Sequence, residues 1–172
     1  NAEHPPGRPI ISSIGSLLEH ASQYIDYFLS PLVQGLTSYC HDSTMFLSDI
    51  QQINWEPHFW MITLDVVSLY TCISLTLGLQ ACRFLLVLCV FMTIMRCYVT
   101  CLSSAYHKIF LFDGTYFRQK TGMAMGSSFA PSYAGLFVGW WETNVAWSKE
   151  TDEYFTKVIY CLRYIDDLFI VW

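Results

Sequence analysis

Two adjacent carboxylates cannot be left unpaired in an apolar interior. The last ten residues place such a pair between two apolar and aromatic runs: Arg163-Tyr164-Ile165-Asp166-Asp167-Leu168-Phe169-Ile170-Val171-Trp172. The flanks have the composition of β-strands, and the Asp pair has that of the tight turn joining them. The chain must therefore build a sheet that delivers Asp166 and Asp167 to an edge. A solvated hairpin meets that demand, and so does an acidic site. The upstream sequence decides between them.

Of 172 residues, 53% are hydrophobic and 13% charged, which excludes a disordered chain and requires extensive burial. The formal net charge of −5 does not advertise the basic face of a free-standing nucleic-acid binder. No charged-then-apolar signal segment opens the chain. The start at Asn1 and the stop inside a strand-like run at Trp172 read as the ends of a fragment. The seven cysteines form no Cys-x-x-Cys pair. Cys97, Cys101 and His107 are spaced loosely for a metal site, and the two cysteines read as core thiols. Reduced thiols fit a nuclear or cytoplasmic setting.

Gly7-Arg8-Pro9-Ile10-Ile11 reads as extended, because proline fixes φ and the Ile pair favours strand. Arg8 is the only Lys or Arg before Arg83. Ser16 and Glu19 form a capping box, and a helix follows through Ala21, Tyr24, Ile25 and Phe28 to a stop or kink at Ser30-Pro31. A second helix starts at an Asp42 or Ser43 cap, with Met45, Phe46, Ile50 and Ile53 facing inward. Phe59 to Leu64 then reads as a buried strand ending at Asp65.

From Val66 to Tyr106 the only charged residues are Arg83 and Arg96. The apolar run Phe84 to Met95 is shorter than the ~20 residues of a membrane span, which favours a buried helix. Phe110 to Phe117 is a hairpin turning at Asp113-Gly114. Gly122 to Pro131 is a loop of small residues whose glycines let backbone approach a ligand closely. Ser128 is placed to cap, and Pro131 to open, a helix through Tyr133, Leu136, Phe137, Trp140 and Trp141. A last strand, Lys157 to Leu162, follows the polar stretch Ser148 to Glu153.

One carboxylate at a strand exit and two in a hairpin turn suit phosphoryl transfer by two divalent ions. Such ions sit ~3.5–4 Å apart and take bridging carboxylate oxygens. Asp65, Asp166 and Asp167 are then expected to converge. The Asp65 strand should lie beside the Asp166-Asp167 hairpin in one antiparallel sheet, with helices on the opposite face.

These stretches resemble the motifs of reverse transcriptases. Leu64-Asp65-Val66-Val67-Ser68-Leu69-Tyr70-Thr71 is similar to the first catalytic motif, Gly122 to Pro131 to the second palm motif, and Tyr164-Ile165-Asp166-Asp167 to the third. Gly7-Arg8-Pro9-Ile10 resembles the fingers motif that precedes them. Met125-Gly126-Ser127, Pro131-Ser132-Tyr133-Ala134 and Gly139-Trp140-Trp141 resemble vertebrate Penelope-like retroelements.

The resemblance implies an α+β polymerase palm, an antiparallel sheet with helices packed on one face, plus partial fingers. Residues 1–58 would be partial fingers and connecting helices, and 59–172 the palm, cut before the thumb. Asp65 and Asp166 would bridge two Mg²⁺ ions, with Mn²⁺ as a substitute, and Asp167 would complete the site. Val66 would offer backbone to the incoming deoxynucleoside triphosphate, Tyr70 would lie under its sugar, Arg8 would contact the triphosphate, and Gly126 would lie near nucleotide and template. The partners would be an RNA template, a DNA primer, and a thumb and endonuclease domain of the same polyprotein. The basic grip on the duplex would come from those parts. Met125 stands where many reverse transcriptases carry Gln, and Thr71-Cys72-Ile73 replaces Asn-Ile-Pro. A catalytically dead relic is thus an alternative expectation. A membrane-associated protein built on residues 84–106 is another.

Overall fold

The computed structural model describes residues 10–16, 19–87, 109–146 and 156–172. Arg8, the apolar run beyond Val87, the trio Cys97, Cys101 and His107, and the polar stretch Ser148 to Glu153 lie outside them. Among the described residues no helix is long and apolar enough to cross a membrane.

Helices α1 (Glu19–Gln34) and α2 (Ser43–Gln51) precede strand β1 (Met61–Asp65). A single helical turn α3 (Leu69–Cys72) and helix α4 (Leu75–Val87) follow. Strands β2 (Ile109–Phe112) and β3 (Thr115–Arg118) form a separate hairpin. Helix α5 (Ala130–Trp141) runs into a π-helical turn, Glu142–Ala146, before strands β4 (Tyr160–Tyr164) and β5 (Asp167–Val171).

Helix α5 is the centre of the packing. It carries no charged residue, and a helix apolar on every side must be enclosed. Tyr133, Ala134, Leu136 and Val138 are buried in it. Ile25 and Leu29 of α1, Leu69 of α3, Ile73, Cys82 of α4, Met123 and Phe129 complete the cluster. Pro131 sits in the first turn, where its missing N–H costs nothing. Ser128 does not cap this helix: Phe129 holds the cap position without a side-chain bond. Ser22 of α1 instead accepts the Phe129 amide at 3.3 Å and meets Ser127 Oγ at 2.9 Å.

Helix α1 passes through Pro31 instead of ending there. An interior proline costs about 3 kcal/mol, and the packing of Leu32 and Val33 on the core lies beyond it. The capping box is displaced by one residue, since Glu19 Oε2 accepts from the Gly15 amide at 2.6 Å. Helix α2 starts as expected, with Asp42 Oδ1 accepting the Thr44 and Met45 amides at 2.9 Å each. None of its residues is buried, however; it touches the sheet through Phe46, edge to face on Phe169 with 5.1 Å between centroids.

The main sheet is antiparallel, in the order β1-β5-β4. Its outer edge at β4 is covered by Ser38 and Cys40, which exchange backbone bonds with Arg163. Strand β1 forms the other edge and is exposed along its length, not buried. With one neighbouring strand and little over its faces, Met61 is 67% and Leu64 51% accessible. The second hairpin turns at Asp113 (φ +48°) and Gly114 (φ +70°), the two left-handed residues of a type I′ turn, and Phe110 stacks on Phe117.

Because α5 is enclosed, replacing its residues should dominate stability. Leu136→Ala should lower the unfolding free energy by about 2–5 kcal/mol in urea titration. Phe112→Ala, on the exposed hairpin, should cost less than about 0.5 kcal/mol.

Candidate active site at the end of the sheet

Asp65 is the last residue of β1 and Asp167 the first of β5, and the two are Cα partners. Directly opposed side chains in such a pair lie roughly 4.5–5.5 Å apart at Cβ, on one face of the sheet. Asp166 is in the turn that joins β4 to β5, and its carbonyl accepts the Val66 amide at 3.0 Å. That bond ties the exit of β1 to the turn. All three aspartates are thus brought to one end of one ladder by backbone alone.

Alternation along the strands sends the pair two ways. Asp65, Asp167 and Tyr164 share a face with Thr63, Leu162 and Phe169. This face opens into a cavity of about 580 Å³, bounded on the far side by Asp42, Ser43 and Phe46. The opposite face carries Arg163 and points toward α5. Asp166 acts on Tyr70, whose phenol is pushed up first by burial and then by the Asp166 charge.

Tyr70 and Gly126 line a second cavity, about 550 Å³, with Ser13, Glu19, Gln23 and Met125. Gly126 has φ +105°, and a Cβ there would run into the Ile11 carbonyl. Gly122 has φ +73°, and its Cβ would lie 2.6 Å from Thr71 Cα. The glycine loop is stitched down at both points: Ile11 N donates to Met125 O at 3.0 Å, and Met123 N to Tyr70 O at 2.6 Å. Val66 packs at the edge of the core, with its amide already committed to Asp166.

Among the described residues, no three His, Cys, Asp or Glu side chains are gathered closely enough to hold a metal ion as they stand. The donor type and the backbone placement do fit a divalent cation. Hard cations take carboxylate oxygens. Like charges directly opposed across two strands are destabilising, and Asp65 and Asp167 are so opposed. A cation between them would remove that penalty.

Two residues beside the site escaped the sequence reading. Arg163 and Glu142 are both buried, and Arg163 Nε donates to Glu142 Oε1 at 2.7 Å. The available signal was an arginine three residues before Asp166 inside an otherwise apolar strand.

No protein-family model and no curated protein matches the sequence. Solved structures do match in three dimensions, and the chain shares its fold with part of two telomerases. One is a telomerase from Candida albicans, solved with a fragment of telomeric RNA: TM-score 0.62, 12% identity, 90% of this chain and 30% of that one covered. Another is an apo telomerase from Candida tropicalis: TM-score 0.61, 14% identity, 92% and 35% covered. The chain spans about a third of the length of these neighbours.

The proximity of Asp166 to Tyr70 is open to direct titration. Asp166→Asn removes a negative charge that disfavours the phenolate, so the Tyr70 pKa should fall. It should stay above that of an exposed tyrosine, because burial, the larger cause, remains. NMR of ring-labelled tyrosine reads both values; an unchanged pKa would separate the two groups.

Proposed function

We propose that this chain is the nucleotidyl-transfer centre of an RNA-directed DNA polymerase. The observation that supports this most directly is the register that sets Asp65 opposite Asp167, with Asp166 in the joining turn, within a polymerase fold. Two Mg²⁺ ions, or Mn²⁺ in their place, would activate the primer 3′-hydroxyl and neutralise the leaving pyrophosphate.

The protein's part is to hold and orient. Asp65, Asp166 and Asp167 supply oxygen ligands and keep the triphosphate away until cations mask their charge. Tyr70 presents its ring to the sugar of the nucleotide, where a 2′-hydroxyl would meet it. Gly126 lets the loop close on the Ile11 backbone and so fixes one wall of the second cavity, beside which nucleotide and template would lie. By the resemblance of Gly7-Arg8-Pro9-Ile10 to the fingers motif alone, Arg8 would contact the triphosphate. The template is RNA and the primer DNA. The finer assignment, to Penelope-like retroelements, rests on the wording of the glycine loop and of Gly139-Trp140-Trp141.

A non-catalytic relative of the same fold is the competing reading, and the ungathered carboxyl groups speak for it. Mn²⁺ titration of the 172-residue chain separates the two. The catalytic reading requires a site that is lost in Asp166→Ala, with Mn²⁺ affinity falling by more than about a hundredfold. Replacing even the outer partners of metal ligands typically costs 10–100-fold. Metal binding indifferent to Asp166 would leave the fold and remove the chemistry.

The steric role of Tyr70 has its own readout. Tyr70→Ala, assayed within a full-length active polymerase, should raise ribonucleotide incorporation relative to deoxyribonucleotide, because a packed ring yields only at a cost. An unchanged ratio in a folded variant would make Tyr70 a core residue only.

A further inference from the structure

The turn that carries Asp166 is strained. Ile165 has φ +57°, a conformation that β-branched residues rarely adopt, whereas Asp166 keeps a negative φ. A positive φ at the first central position alone is the signature of a type II′ turn, which prefers glycine there. Rotating the peptide between Ile165 and Asp166 would convert it to type I′, with positive φ at both residues. Aspartate tolerates that state, so nothing local prevents the flip. The flip would re-aim the Asp166 side chain.

What lies against that peptide is Arg163. Its Nη1 donates to the Ile165 carbonyl at 3.2 Å, and that carbonyl belongs to the peptide in question. Its Nη2 donates to Gly135 O of α5 at 3.2 Å and its Nε to Glu142 Oε1 at 2.7 Å. Ser38 Oγ donates to the other Glu142 oxygen at 2.6 Å. The Arg163 backbone is pinned as well, its amide to Ser38 O and its carbonyl to the Cys40 amide. A guanidinium has a rigid fork of donors, so one held on two sides presents the third in a fixed direction.

We propose that Arg163 is a positioning residue: anchored by Glu142 and Gly135, it holds the Ile165–Asp166 peptide in one orientation and thereby aims the Asp166 carboxylate. The proposal deepens the polymerase reading and rests on it for the use of that carboxylate, but the geometry of the turn can be tested without any metal. It also separates two roles of the Arg163–Glu142 pair. Replacing a whole buried ion pair by apolar residues of like volume is often neutral for stability. Orientation of the turn would not survive that replacement.

The test is therefore the double variant Arg163→Met with Glu142→Met, compared with the parent chain in two measurements. The first is NMR of the metal-free protein. A residue with positive φ shows a strong amide-to-Hα Overhauser effect within itself. Ile165 should show it in both proteins, and Asp166 only in the double variant. The second is Mn²⁺ affinity, which should fall about tenfold or more, as for other partners of metal ligands.

Adding Ile165→Gly to the double variant should reverse both changes, since glycine favours the type II′ turn without outside help. A double variant that folds and leaves Asp166 at negative φ overturns the proposal. So does a loss of Mn²⁺ affinity with no change in the turn. If the turn flips but the parent chain binds no Mn²⁺ through Asp166, Arg163 holds the turn and the two-metal reading is what fails. Should the double variant not fold, Arg163→Lys carries the same two measurements: its single ammonium can pair with Glu142 but cannot fork to both carbonyls.

Discussion

The pairing of β1 with β5 is the constraint on which the site depends. Side chains alternate across a strand, so a slip of one residue would send Asp65 to the face that carries Arg163 and leave Asp167 without its partner. The register is defended at both ends. Val66 N donates to Asp166 O at the turn, and Trp60 and Trp172 exchange backbone bonds at the far end, at 2.9 and 2.7 Å. Between these clamps lies a five-residue ladder whose edge strand is exposed. Burial does little to fix this register; backbone bonds and the turn do most of it.

The two faces of the sheet have been given different solvents. One looks toward α5 and the π-helical turn, where the charge of Arg163 is tolerated because Glu142 and two carbonyls satisfy it. The other looks into an open cavity, where water can solvate Asp65 and Asp167. An edge strand that looks poorly buried as a piece of core is well placed as a rim for charged ligands. The exposure of β1 and the presence of the acids are thus one feature.

How much of this was legible in the sequence depends on the kind of information each element needs. The hairpin that carries Asp166 and Asp167, the Asp113-Gly114 turn and the start of α2 at Asp42 were legible because turn and cap chemistry is local, but the turn itself is Ile165-Asp166 and Asp167 already opens β5. The helix opened by Pro131 was legible too, although not its enclosure on every side. Whether α1 would stop or run on at Pro31 was not, because the compensating contacts of Leu32 and Val33 are tertiary. The burial of β1 was misjudged for a related reason. Met61 to Leu64 has the composition of a central strand, and only the sheet order reveals it as an edge. Glu142 could not be singled out at all, since its partners Ser38 and Arg163 are distant in sequence.

The glycine loop shows how a correct local inference can change its object. Gly122 and Gly126 were read as positions where backbone meets a ligand. Both do permit close approach, but the backbone they meet belongs to the chain: Thr71 in one case and Ile11 in the other. The consequence for the second cavity is stronger than direct contact would be. Beside Glu19 and Gln23 of α1, its wall joins to the loop two segments distant in sequence, the stretch near Ile11 and the residues around Tyr70. Each is held to the loop by main-chain bonds. A side chain at either glycine would not merely fill the cavity; it would part those segments. A ligand entering between Tyr70 and Gly126 would meet walls set before it arrives, and binding energy otherwise needed to order them stays available for orientation.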